Sequence, residues 1–382
     1  MIAPRARSRV FELAAARSVN AVQPGLDLVD WQLAATVGRR LCPPGPDLAP
    51  EEEKAVVRQL RALADEALAH VAAYTGLRPD PALRTSTAVV DRGTWAEHNV
   101  AGLQVTLAPV LEQLASKRAQ RLGHHPGAGL TGYAGRKVTG TELGGVLAFL
   151  SSKVLGQYEV FLPAADGDGR LTLVAPNIVE VERRLGVDPR DFRMWVCLHE
   201  QTHHVQFTGT PWLKEHLAGL IGRLGAAADL DPLALLGRVK QALRERGQGG
   251  GLPGGPLAVL QSAEQRAVIA ELQSVMTLLE GHADYVMDAI GPDVVPTVEE
   301  IRRGFEQRRL IASPVERIMR RVLGLDAKLA QYRVGGAFCR TVAKEAGPDA
   351  LRAAFAAPQN LPSAEEFADP ALWIARTCPV RA

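Results

Sequence analysis

A chain of 382 residues, 47% hydrophobic, carries enough apolar surface for a sizeable core in two domains or one large one. Its net charge of +2 gives no single-signed field to attract nucleic acid or an anionic membrane. The basic N-terminus holds no secretory apolar stretch, Ser151-Ser152-Lys153 interrupts the best membrane-spanning candidate, and Cys42, Cys197, Cys339 and Cys378 are scattered, so a cytoplasmic protein is expected.

In chain order, Pro50-Glu51-Glu52-Glu53 opens a long helix whose Val56, Leu60, Leu63, Ala67 and Val71 form one apolar stripe. Residues 103–114 repeat that pattern, and Ala88-Val89-Val90 is a short strand-like run, so residues 1–122 read as a mostly helical N-terminal region. The glycine-rich stretch 123–140 reads as a linker, with His124-His125 in a loop, and residues 141–382 as the catalytic region with a C-terminal helical bundle. An apolar helix over about 141–153 precedes two strands, Gln157–Leu162 and Arg170–Ala175, joined as a hairpin around Asp166-Gly167-Asp168-Gly169. Residues 230–246 read as helix, residues 247–256 as a Gly/Pro-rich surface loop, and Ser363/Glu366 as a capping box. The fold class expected is α+β, predominantly α, with a small sheet and many helices.

Between these elements lies His199-Glu200-Gln201-Thr202-His203, the H-E-x-x-H spacing. Asp188 as N-cap, Pro189 at the first helical position and Gly209 with Pro211 beyond the end delimit a helix over 188–208. Positions four apart share a helix face, so His199 and His203 can both reach one zinc ion at about 2.0–2.1 Å. Glu200 sits about 100° round the helix, placed to take a proton from a water at the metal's open position. Phe192, Met194, Cys197, Leu198, Val205 and Phe207 make the helix apolar nearly all round, so it is expected in the core. Cys197 reads as a small buried hydrophobe and His204 as structural, since both point away from the metal face.

A third ligand is offered by Glu280-Gly281-His282-Ala283-Asp284, on a helix capped by Ser262 and Gln265 and closed by Gly291-Pro292. Glu280 and His282 are both candidates and point in roughly opposite directions. Glu280 is the ligand expected, with Asp284, four residues on, accepting the free N–H of a ligating imidazole. Tyr332, with Arg333 beside it, is a candidate donor to the developing oxyanion, and Gly335-Gly336 after it permits close approach to another backbone.

H-E-x-x-H followed by E-x-x-x-D on a later helix resembles the glutamate-type zincins. More closely, Leu173-Val174-Ala175-Pro176-Asn177, Asp191-Phe192-Arg193, the H-E-x-x-H, Pro211-Trp212-Leu213 and Gln331-Tyr332-Arg333-Val334-Gly335 resemble a bacterial family of zincin-like hydrolases. Its members carry labels such as zinc-dependent metalloprotease or protein associated with biosynthesis of a deazaflavin coenzyme. The resemblance implies a zincin-like fold, one zinc on His199, His203 and Glu280, Glu200 as base, and Leu171–Asn177 as a strand bordering the active cleft. The reaction expected is hydrolysis of a peptide or small amide. The alternatives are a small-molecule amide or ester hydrolase linked to cofactor metabolism and a non-catalytic, metal-stabilised scaffold.

Overall fold

The computed structural model describes residues 28–122, 129–163, 166–227, 262–309 and 325–378. The expected loop at His124-His125, the helix over 230–246 and the loop over 247–256 lie outside the described residues. What is described is mostly helix around one small sheet, the α+β class that the sequence implies.

The sheet has the order β1-β3-β2. Strand β1 (Thr85–Val90) runs parallel to β3 (Gly169–Val174), and β2 (Gly156–Glu159) runs antiparallel to it, completing the expected hairpin. At the hairpin, Gly167 has φ 105°, a conformation that L side chains rarely adopt, and a Cβ there would stand 2.6 Å from the Arg84 carbonyl oxygen. Arg84 in turn exchanges two bonds with Asp168, which fixes the start of β1 against the start of β3.

This order corrects one expectation. Leu171–Asn177 is not a strand beside the cleft: β3 is the central strand, with Leu171, Thr172, Leu173 and Val174 all buried, and Ala175–Asn177 open the next helix. The outer position belongs to β2. Its register and the Val174 N–H to Leu155 carbonyl bond make alternate residues face β3, which turns the main-chain groups of Gly156 and Tyr158 outward.

One further expectation changes. Residues 129–140, read as linker, belong to helix α4 (Gly129–Leu150), which packs along α1 (Trp31–Leu41). Two glycines of α4 serve proximity: a Cβ on Gly140 would stand 2.5 Å from the Asp30 oxygen, and one on Gly144 2.6 Å from the Ala34 oxygen. Residues before and after this helix share structure. Strand β1 lies in the same sheet as β2 and β3, and α2 (Pro50–Thr75) shares one core with the motif helix, from Val56 and Leu60 to Phe192 and Leu198.

Helix α3 (Arg92–Leu122) covers the face of the sheet opposite the motif helix, where Trp95 donates to Gln157 and packs with Val90 and Val174. After α5 (Ala175–Leu185) comes α6 (Pro189–Thr208), capped as expected by Asp188, whose carboxylate accepts from the Asp191 N–H at 2.9 Å. A buried ion pair between Arg193 and Glu182 ties α5 to α6. Helix α7 (Pro211–Ala226) follows, and then α8 (Ala263–Val294), with the Ser262/Gln265 capping box formed. Helix α8 passes through Gly291-Pro292 and ends at Val294, because a proline close to the terminus forfeits little of the ladder. Helix α9 (Val298–Arg309) is tied to α6 by Thr297, which donates from N–H and hydroxyl to Asp191. Helix α10 (Leu325–Ala346) lies across α8, and short helices, including one with the expected Ser363/Glu366 box, complete the chain.

Candidate metal centre

Helix α6 is buried on most sides, yet His199 and His203 lie on its least covered face, with side chains 21% and 13% exposed. Their Nε2 atoms stand 3.3 Å apart. Helix α8 crosses α6 so that Glu280 Oε2 lies 3.6 Å from His199 Nε2 and 3.5 Å from His203 Nε2. Of the two candidates on α8, Glu280 is thus the one brought to the histidine pair. These three residues form the one group among the described residues whose ligand atoms could share an ion.

The triangle fits a metal. Tetrahedral bonds of about 2.0–2.1 Å hold ligand atoms about 3.3–3.4 Å apart, close to the separations here. A cation could take both imidazole Nε2 lone pairs and the carboxylate oxygen, since all three atoms converge on one point. With two partly exposed histidines and one buried acid as donors, a position toward solvent is left for a further ligand.

Glu200 is buried beside this group, close enough for its charge to raise the pKa of His203. Its carboxyl lies directly under the first residue of β2: a Cβ on Gly156 would meet Glu200 Cγ at 2.6 Å and Oε1 at 2.9 Å. With no side chain at residue 156, the outer strand passes over the acid without displacing its carboxyl.

His282 points elsewhere. Its Nδ1 accepts from Gln206 Nε2 at 3.0 Å, its ring packs against Phe355, and burial pushes its pKa down to about 3. Asp284, expected to brace an imidazole, pairs instead with Arg340 at 3.9 Å and is 38% exposed. One turn along α8, about 6 Å, carries it beside α10, where Gly336 approaches. The group that meets His203 Nδ1 is Gln206, at 2.9 Å. Tyr332 falls on α10, but its side chain lies outside the described residues; the adjacent Arg333 is exposed. His204 is structural as expected: Nδ1 meets Gln201 at 2.8 Å, the ring stacks on Tyr158, and burial lowers its pKa to about 4.

Burial opposes charge on His203, but the hydrogen bond to Glu280 and the charges of Glu280 and Glu200 outweigh it, so its pKa lies above the ordinary value. In the metal-free protein this contributes stability that is full below the unfolded imidazole pKa, about 6.5, and is lost as pH rises through the higher folded value. A metal needs His203 deprotonated, so acid favours the metal-free form. The rise in Tm produced by zinc should therefore shrink as pH falls through that window, which melts with and without zinc across pH would measure. An undiminished rise would count against His203 as a ligand.

The zincin-like metallopeptidase family model matches residues 29–374, nearly the whole chain. The chain belongs to the zincin-like metallopeptidases. It is also similar to a solved chain from Chloroflexus aurantiacus, described as a "putative hydrolase with a novel fold", at 28% identity and a TM-score of 0.63. That likeness covers 92% of this chain and 99% of the other. No curated protein matches. Membership makes this zincin-like chain a metallohydrolase, and no helix among its described residues is long and apolar enough to cross a membrane.

Two residues of the site were not anticipated from the sequence. Gln206 stands three positions after His203, a spacing that puts the two side chains on one helix face, and that signal was available. Gly156 gave none, because its importance depends on a strand and a helix meeting from distant parts of the chain.

Proposed function

We propose that the chain is a zinc-dependent peptidase in which His199, His203 and Glu280 hold one ion and Glu200 is the general base. The observation that carries this reading is the convergence of His199 Nε2, His203 Nε2 and Glu280 Oε2 to within 3.3–3.6 Å of one another. Bound there, the metal supplies Lewis acidity to a carbonyl and lowers the pKa of a water to about 7. Glu200 takes a proton from the attacking water and passes it to the departing amide nitrogen. Its low exposure keeps that carboxyl from solvent, and the Gly156 backbone above it limits where it can turn.

A peptide, rather than a small amide, is supported by the outer edge of β2. Outward main-chain groups at Gly156 and Tyr158 offer an extended chain the pairing that a strand edge provides, starting directly above Glu200. A cleft of about 160 Å³ between α3 and β2, lined by His98, Asn99, Thr106, Gln157 and Glu159, continues along the same strand and gives side chains of such a substrate a polar wall. A cytoplasmic setting suits the four free cysteines.

The test is elemental analysis of protein purified without chelators, followed by digestion of a peptide library alongside a panel of small amides and esters. About one zinc per chain and chelator-sensitive cleavage of peptides is expected. Turnover confined to the small-molecule panel would overturn the peptidase reading, and zinc without any turnover would favour a metal-stabilised scaffold.

A further inference from the structure

The buried amide of Gln206 is hydrogen-bonded both to a histidine of the metal triangle and to the helix supplying the acid. Its Nε2 lies 2.9 Å from the Leu279 carbonyl oxygen, which can only accept, so this end of the amide must be the NH₂. The second N–H of the same group points at His282 Nδ1, 3.0 Å away. Both donors are thereby spent on α8, and the opposite end, 2.9 Å from His203 Nδ1, must be the carbonyl oxygen. A carbonyl can only accept, so His203 Nδ1 carries the proton and its lone pair is confined to Nε2, the atom facing His199 and Glu280.

We propose that Gln206 is a positioning residue that fixes the metal-binding tautomer of His203 and takes its own orientation from Leu279 and His282 on α8. This deepens the metal reading above and rests on it. Leu279 immediately precedes Glu280, so the helix that delivers the acid also sets which nitrogen of His203 is available. Docking of α8 on α6 thus arranges two of the three ligands in one event. The role assigned from sequence to Asp284 falls to an amide, which orients the ring without adding a negative charge.

The test compares Gln206→Met and Gln206→Glu with the unmodified chain. Zinc affinity is read by competition with a chromophoric chelator, and Tm is read in the metal-free state. Gln206→Met keeps the volume and loses the acceptor, so zinc affinity should fall about 10- to 100-fold, the range for lost outer partners of metal ligands. Gln206→Glu keeps an acceptor for His203 but places a charge opposite the Leu279 carbonyl, so it should melt lowest without metal while retaining more zinc affinity than Gln206→Met. That crossed order separates positioning from plain structural support, which would make zinc affinity follow metal-free Tm. Equal zinc affinity in Gln206→Met and the unmodified chain, or affinity that simply tracks metal-free Tm, overturns the positioning role while leaving the metal centre standing. Failure of the unmodified chain to bind zinc overturns the metal reading and this inference together.

Discussion

Glu200→Gln is expected to keep the metal and lose about 10²–10⁴-fold in turnover, the usual contribution of a positioned acid–base group. The amide has nearly the shape of the carboxyl, so it fills the space under Gly156, where even one added carbon would collide. It cannot accept a proton from water, and it removes none of the three proposed ligand atoms. Elemental analysis beside steady-state kinetics checks both halves: full zinc with turnover near the unmodified level would exclude Glu200 as the base. Glu200→Ala would be a poorer probe, since it opens a void in a tightly packed region as well as removing the base.

Gly281→Ala should have the largest effect on stability. Helices α8 and α10 meet backbone to backbone here: a Cβ on Gly281 would stand 2.1 Å from the Gly335 carbonyl carbon and 2.6 Å from Gly336 N. No rotamer relieves a contact with main chain, so the helices must part. Overpacking of this kind costs about 1–3 kcal/mol. Because Glu280 is the preceding residue, the shift should also displace the acid from the histidines and weaken zinc binding. Gly219→Ala is the control, as it lies exposed on α7 with nothing within 4 Å of its added carbon. It should be neutral or stabilising by up to about 1 kcal/mol, through helix propensity alone. Denaturation of the two variants, with and without zinc, measures the contrast, and equal stabilities would contradict the packing described.

The parts of this protein legible in its sequence are those governed by neighbours along the chain. Asp188, Pro189 and Gly209 bound α6 because caps act within one turn, and Ser262 with Gln265 marks the start of α8 for the same reason. The hairpin of β2 and β3 is equally local. What was misread depends on partners far away. Leu171–Val174 is central because β1 arrives on its other side, and the glycine-rich run up to Gly140 is helix packed against α1, where Gly140 comes close to Asp30. Asp284 has a suitable spacing from Glu280, but spacing within α8 does not say where α10 will lie. Tertiary approach, rather than residue type, decided between Asp284 and Gln206 as the partner of an imidazole.

The parallel pairing of β1 with β3 bears on how the molecule assembles. Arg84 and Asp168, whose bonds anchor that pairing, are 84 residues apart, so a long span must close before the central strand has both neighbours. Such non-local closure slows folding. A fragment beginning after β1 would leave β3 as an open apolar border, a surface inviting self-association. Completion of the sheet in this chain therefore waits on its amino-terminal half, whose strand β1 supplies the second neighbour of β3.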